Sequence, residues 1–221
     1  MKMKSLQPIK PQSDSGPNRS FSVYTAMSDS DIWNRFLQGD GEAFNHIYVH
    51  FFSLLFNYGH HFCQDRELIK DVVQELFIYL KTKRKKLGKT DNIKFYLYKS
   101  LRRNLFRELT KKKSVVYVDE LPSTADFEIT LSHESFLIQN QEQAKLKEEL
   151  TKSVAKLSKR QKEAIIYYYY EGFSYGQVSE LMGFSSVEYA RKLIYRSLES
   201  LRKYVPNIYL LTLIAGLSVS F

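Results

Sequence analysis

Two sets of side chains in this 221-residue chain have the types and spacing to engage a polyanion. Phe95, Tyr98, Lys99, Arg102 and Phe106 recur at steps of three and four, which gathers rings and cations on one face of a helix. Such a face suits single-stranded nucleic acid, because bases stack on the rings while the cations follow the backbone. The same spacing equally describes rings packed on a neighbour and cation stems lying along apolar surface. In the second set, Glu188, Tyr189, Arg191, Lys192, Tyr195 and Arg196 share the outer face of a helix that buries Ala190, Leu193, Ile194, Ser197, Leu198 and Leu201. A basic, aromatic helix of this kind fits a major groove, its first turns near base edges and its cations near phosphates. A solvated helix in an all-α bundle would carry the same pattern.

Other chemistry is less well supplied. His46 and His50 stand at i, i+4 and are followed by His60, His61 and Cys63, which raises a metal site. Their flanks are apolar and aromatic, and no second cysteine or Cys-x-x-Cys pair supports a metal, so packing histidines are expected and no cofactor is assigned. No Gly-rich phosphate loop, nucleophile elbow or HExxH is present, and the chain does not read as an enzyme. Asp71, Gln74, Glu75 and Ile78 lie opposite the apolar stripe of their helix. An acidic face within a basic segment invites a protein partner; a merely solvated face is the alternative.

The elements that must position these sets announce themselves by their starts and stops. Ser-x-x-(Gln/Glu) boxes recur at Ser158/Gln161, Ser174/Gln177 and Ser185/Glu188, and each can satisfy orphaned donors at a helix start. Between the last two, Gly183 can take the left-handed conformation that stops a helix, which gives a helix-turn-helix grammar. Upstream, Gly39-Asp40-Gly41 ends a short helix bearing Ile32, Trp33, Phe36 and Leu37, and residues 44–62 form a longer apolar helix. Asp65 caps a helix with Ile69, Val72, Val73, Leu76, Phe77 and Leu80 on one face. Asp91 or Asn92 caps a fourth, which buries Ile93, Leu97, Leu101, Leu105 and Leu109.

The fold predicted is all-α, with two helical domains joined by a flexible acidic linker and the second a helix-turn-helix. Residues 1–27 read as a disordered, Pro/Ser-rich leader without a secretory signal, and Met27 could itself open the chain. The first domain spans 28–113, the linker 114–140, the second domain 141–205, and an apolar tail 206–221. The tail is short of the ~20 apolar residues a bilayer span needs, so a segment docked on protein is favoured over membrane contact. A net charge of +9 favours a polyanionic partner, and its distribution is uneven. Residues 81–113 carry fourteen Lys/Arg against Asp91 and Glu108, a net of +12, whereas residues 114–150 carry a net of −6. A single cysteine excludes an intrachain disulfide and fits a reducing cytoplasm.

Taken in order, Asp71-Val72-Val73-Gln74-Glu75-Leu76-Phe77, then Tyr96-Leu97-Tyr98 running into Arg102-Arg103-Asn104, then Leu157 to Glu163, Glu171 to Tyr175 and the helix-turn-helix resemble a bacterial RNA polymerase sigma factor. The resemblance runs from about Asp29 to Tyr204 and is nearest to the two-domain extracytoplasmic-function group in its Bacteroidetes-type form. It implies that Asp71, Gln74 and Glu75 contact the clamp helices of the largest core polymerase subunit. It also implies that Phe95, Tyr98, Lys99, Arg102, Arg103, Asn104 and Phe106 hold the melted −10 strand. Ser185, Ser186, Glu188, Tyr189, Arg191, Lys192, Tyr195 and Arg196 would then read the −35 element of promoter DNA, while the same domain binds the flap of the second-largest subunit. The linker would thread the RNA exit path, its acids imitating RNA charge. The sequence departs from the family where Arg103 stands at the usual Asn position of the −10 helix, and where Tyr96 stands for the usual Trp.

The function expected is therefore a promoter-specificity subunit that directs transcription initiation in the cytoplasm, with no small-molecule substrate and with an anti-sigma factor as a further partner. Two other readings stay open on the residues alone. One is a stand-alone helix-turn-helix regulator that does not bind polymerase, and the other a membrane-surface signalling protein using the basic cluster and the apolar tail.

Overall fold

The computed structural model describes residues 23–112 and 152–202, all of whose regular structure is helical. The first module contains α1 (Asp29–Gln38), α2 (Gly41–His60), α3 (Arg66–Lys83) and α4 (Ile93–Lys112), with a 3-10 turn at Arg84–Lys86. After a helical stretch at 152–156, the second module contains α5 (Lys159–Ile165), a π-helical turn at Ile166–Tyr170, α6 (Tyr175–Leu181) and α7 (Val187–Arg202). The linker at 114–140 and the tail at 206–221 lie outside the described residues.

Short polar side chains set where each helix begins. Ser28 accepts the Asp31 N–H to start α1, and Asp40 accepts those of Glu42 and Ala43 to start α2. Between them Gly39 adopts φ +103°, where a side chain would be strained. Asp65 starts α3 by accepting the Leu68 N–H at 3.0 Å. Asn92 is the cap of α4: its Oδ1 accepts the Phe95 N–H at 2.8 Å. A second acceptor reaches α4 from elsewhere in the fold, since Asp29 Oδ2 accepts the Ile93 N–H at 2.7 Å and so ties the start of α1 to the start of α4.

The apolar period predicted for α3 is the face it buries: Ile69, Val72, Val73, Leu76, Phe77 and Leu80 are all buried. α2 packs against it so closely that a Cβ on Gly59 would lie 2.5 Å from Ile69 Cγ2. Trp33 is fully buried in α1, and its indole N–H donates to the Gly88 carbonyl at 2.9 Å, anchoring the lysine-rich loop that leads into α4.

Two expected boundaries move. Residues 23–25 are helical, and Tyr24 is buried with its hydroxyl donating to Asp40 Oδ2 at 2.7 Å, so the structured module begins ahead of residue 28. A ring that can cover His46 and hydrogen-bond the α2 cap gains more from docking than a polar leader would. In the second module the Ser158/Gln161 and Ser174/Gln177 boxes both form with reciprocal hydrogen bonds. The third start is displaced, because α7 begins at Val187, one residue later than a Ser185 cap requires.

The two modules also pack on one another. Their buried side chains form one continuous cluster, in which Tyr58 of α2 and Tyr98 of α4 meet Tyr167 and Phe173 of the second module.

Candidate nucleic-acid interface

α6, the turn at 182–186 and α7 form the helix-turn-helix. Gly183 takes φ +65°, and Arg160 steadies the turn by donating from Nη2 to the Met182 carbonyl at 3.1 Å while its guanidinium covers the Phe184 ring at 4.8 Å. α7 buries Ala190, Ile194, Ser197 and Leu201, with Leu193 and Leu198 half-buried. Every side chain that the sequence assigns to duplex reading is exposed: Ser185, Ser186, Glu188, Tyr189, Arg191, Lys192, Tyr195 and Arg196. Tyr189 and Tyr195 are 60% and 64% exposed, more than burial energetics alone would favour for such large rings. Arg191 is held from two sides, lying over the Tyr175 ring at 5.2 Å and 3.6 Å from the Glu188 carboxylate. Tyr175 in turn stacks on Tyr168 at 4.4 Å, and a hydrogen bond with Tyr168, assisted by burial, pushes its hydroxyl up to about 12.

α3 presents Asp71, Gln74, Glu75 and Ile78 to solvent, as its period requires. Tyr79, next to Ile78 in the same helix, is also exposed.

The face of α4 is split. Lys99 and Arg103 are exposed, and Phe95 and Asn104 are partly exposed. Tyr98, Arg102 and Phe106 are buried, at 1%, 6% and 2% exposure, so in this arrangement they do not present to a nucleic-acid strand. At Tyr98 and Arg102 the second module supplies part of the cover. Arg102 donates through Nε to Glu163 Oε1 at 3.1 Å, with Nη2 also at 3.1 Å, and both side chains are buried. Tyr167 donates to the same Glu163 oxygen at 2.9 Å, which leaves Tyr58 to donate to the Tyr167 hydroxyl at 2.5 Å. Tyr98 donates to Glu171 Oε2 at 2.9 Å, and Lys94 reaches that oxygen at 2.8 Å and the Glu171 carbonyl at 3.0 Å. At the rim Lys99 pairs with Glu180. Phe106 packs on Phe62 at 5.3 Å, with the Arg102 guanidinium 4.6 Å from its ring.

Burial holds the hydroxyls of Tyr58, Tyr98 and Tyr167 far above the usual phenol range; the carboxylate of Glu171 adds to this at Tyr98 and that of Glu163 at Tyr167. Sequence periodicity missed the partners Glu163, Glu171 and Glu180. Glu163 and Tyr167 do stand at i, i+4, a spacing that shares a helix face, but nothing in the sequence says that this face is buried.

His46 and His50 stack with rings 6.0 Å apart and nearly parallel, His46 being buried beside Tyr24. Among the described residues no three His, Cys, Asp or Glu side chains converge as a metal site, and no helix is long and apolar enough to cross a membrane.

Residues 147–201 match the family model described as Sigma-70, region 4. No curated protein matches the chain. In structure it is similar to CnrH, solved in complex with the cytosolic domain of CnrY, at a TM-score of 0.50 and 15% identity over 79% of this chain and 95% of that one. A second similar structure is the sigma factor RpoE in complex with the anti-sigma factor NepR from Bartonella quintana, at a TM-score of 0.49 and 18% identity over 73% of this chain and 95% of that one. At 15% identity the likeness to CnrH is one of fold.

Proposed function

We propose that this chain is a promoter-specificity (sigma) subunit of bacterial RNA polymerase, of the extracytoplasmic-function group and its Bacteroidetes-type form, working in the cytoplasm. The observation that carries this reading is the match of residues 147–201 to Sigma-70 region 4, combined with a helix-turn-helix at which all eight assigned side chains are exposed. α7 enters the major groove of the −35 element, where Ser185, Ser186, Glu188 and Tyr189 lie in or beside the first turn, near base edges. Arg191, Lys192 and Arg196 neutralise phosphates and fix the register of docking.

The first module supplies the other two contacts. Asp71, Gln74 and Glu75 form the acidic face of α3 for the clamp of the largest core subunit, and the flap of the second-largest subunit meets the second module. α4 holds the non-template −10 strand, its rings stacking on bases and Lys99, Arg102 and Arg103 following the backbone, with Asn104 beside them. The role is one of binding and positioning, without covalent chemistry. CnrH was solved with a protein partner, and a protein partner of the anti-sigma kind belongs to the same reading here.

The test is retention of purified core polymerase by the wild-type chain and by Asp71→Arg/Glu75→Arg, followed by run-off transcription on genomic DNA. Retention by the wild type, its loss in the variant and discrete new transcripts are expected. Absence of any promoter-dependent transcript from the wild-type holoenzyme would sink the reading.

One observation favours a second reading, a stand-alone helix-turn-helix regulator. In the described arrangement α7 is open to duplex DNA while half of the α4 face is covered. Tight, sequence-specific duplex binding by the chain alone, with no retention of core polymerase, would decide for it.

A further inference from the structure

We propose that Tyr175 is a positioning residue for duplex binding, which holds the Arg191 guanidinium ready for a phosphate by offering it the face of its ring. The inference rests on the reading of α7 as the duplex-binding helix and adds to that helix a side chain from α6. Tyr175 is the first residue of α6 and Arg191 stands in the second turn of α7, so the 5.2 Å contact between them crosses the helix-turn-helix. Lys192 and Arg196 share the outer face with Arg191, and among the described residues neither has a ring or a carboxylate as partner.

The ring is itself held in place. Tyr168 stacks on it at 4.4 Å with the planes 21° apart, and Tyr168 in turn meets Tyr169 edge-on at 4.9 Å. Tyr168 lies in the π-helical turn, half-buried against Tyr175, while its neighbour Tyr167 is fully buried and bonded to Tyr58. A ring attracts a cation through its negative face and accepts none of its N–H groups as a carboxylate would. Arg191 therefore keeps its planar donor fork for the oxygens of a phosphate. The contact with Glu188 differs in kind. At 3.6 Å, with both side chains more than half exposed, it is screened by salt and gives way to a phosphate. What the ring supplies is order in advance, so that less side-chain freedom is lost when DNA binds.

The test measures binding of the full chain to a short, mixed-sequence, fluorescently labelled DNA duplex at low salt. The variants are Tyr175→Phe, Tyr175→Leu, Arg191→Ala and Tyr175→Leu/Arg191→Ala, with Arg196→Ala and Tyr175→Leu/Arg196→Ala as a control cycle. Tyr175→Leu should weaken binding about fivefold, and Tyr175→Phe, which keeps the ring face, should bind like the wild type. In the Arg191→Ala background Tyr175→Leu should cost nothing more, whereas in the Arg196→Ala background the fivefold loss should remain. A loss of the same size with and without Arg191 overturns the proposal, because the tyrosine then acts on DNA or on the fold directly. No loss in Tyr175→Leu overturns it as well. Should that variant not fold, the Arg191 Nε–H resonance decides, assigned by its absence in Arg191→Ala. The ring should displace it from the position of a free arginine in the wild type and in Tyr175→Phe, and an undisplaced resonance refutes the proposal. Binding left unchanged by Arg191→Ala and by Arg196→Ala alike would sink the reading of α7 itself, so the two failures are distinguishable.

Discussion

Arg102 and Glu163, one on α4 and the other on α5, form an ion pair in which both Nε and Nη2 of the guanidinium lie 3.1 Å from a single carboxylate oxygen, with each side chain 7% exposed. Truncating one member leaves the other charged and buried, whereas removing both charges need cost little. Arg102→Met should therefore destabilise the packed form by about 3–5 kcal/mol, and Arg102→Met/Glu163→Gln by clearly less. Urea unfolding of the wild type, both single variants and the double variant would measure the coupling. Additive losses would mean that the pair contributes no specific interaction.

The interface should also loosen in alkali. Tyr58, Tyr98 and Tyr167 have their hydroxyls raised above the ordinary 10.0 by burial first, with neighbouring charges adding or subtracting. The packed state thus favours the protonated phenols. Its stabilisation is complete below pH 10 and is lost as the pH rises from 10 toward the raised values. Tyrosinate absorbance should show a late set of tyrosines that ionise together, after the exposed ones. Ionisation of every tyrosine near 10.0 would contradict the buried network.

Gly59 and Gly41 should respond in opposite ways to alanine. At Gly59 the added methyl meets Ile69 and forces α2 from α3, so Gly59→Ala should cost about 1–3 kcal/mol in a thermal melt. At Gly41 nothing lies within 4 Å of the added carbon, and Gly41→Ala at the first position of α2 should be neutral or stabilising.

Much of this architecture could be read in advance where a local rule decides. The α3 stripe is buried as its period predicts, and Asp65, Ser158, Ser174 and Gly183 act as caps and turn, because those interactions lie within a few residues of the chain. The α4 face is another matter. Tyr98, Arg102 and Phe106 carry the right chemistry for a nucleic-acid surface, but whether a residue faces a ligand or a neighbour depends on partners such as Glu163, 61 positions away. Tyr24 escapes for a related reason, since its dock is a cap and a ring in α2 rather than anything in its own segment.

Duplex binding should carry the electrostatic signature of α7. Removing one phosphate contact by Lys192→Ala should lower the slope of log affinity against log salt by about 0.9 and weaken binding to all sequences alike. Ser185→Ala and Tyr189→Ala should instead change which duplexes are preferred and leave that slope unaltered. Titrations of duplex into protein at several salt concentrations would separate the two classes. A Lys192→Ala variant with an unchanged slope would remove this residue from the phosphate contacts.

The indole of Trp33 is the chain's one tryptophan, fully enclosed, packed on Tyr96 at 4.9 Å and hydrogen-bonded to Gly88. Its emission is therefore an intrinsic optical gauge of a single joint, the seating of the lysine-rich loop on α1. A strand that draws this loop outward will let water reach the ring and shift the emission to the red. A partner that engages only the helix-turn-helix will leave the spectrum as it is, so an unlabelled sample can report which half of the molecule has been touched.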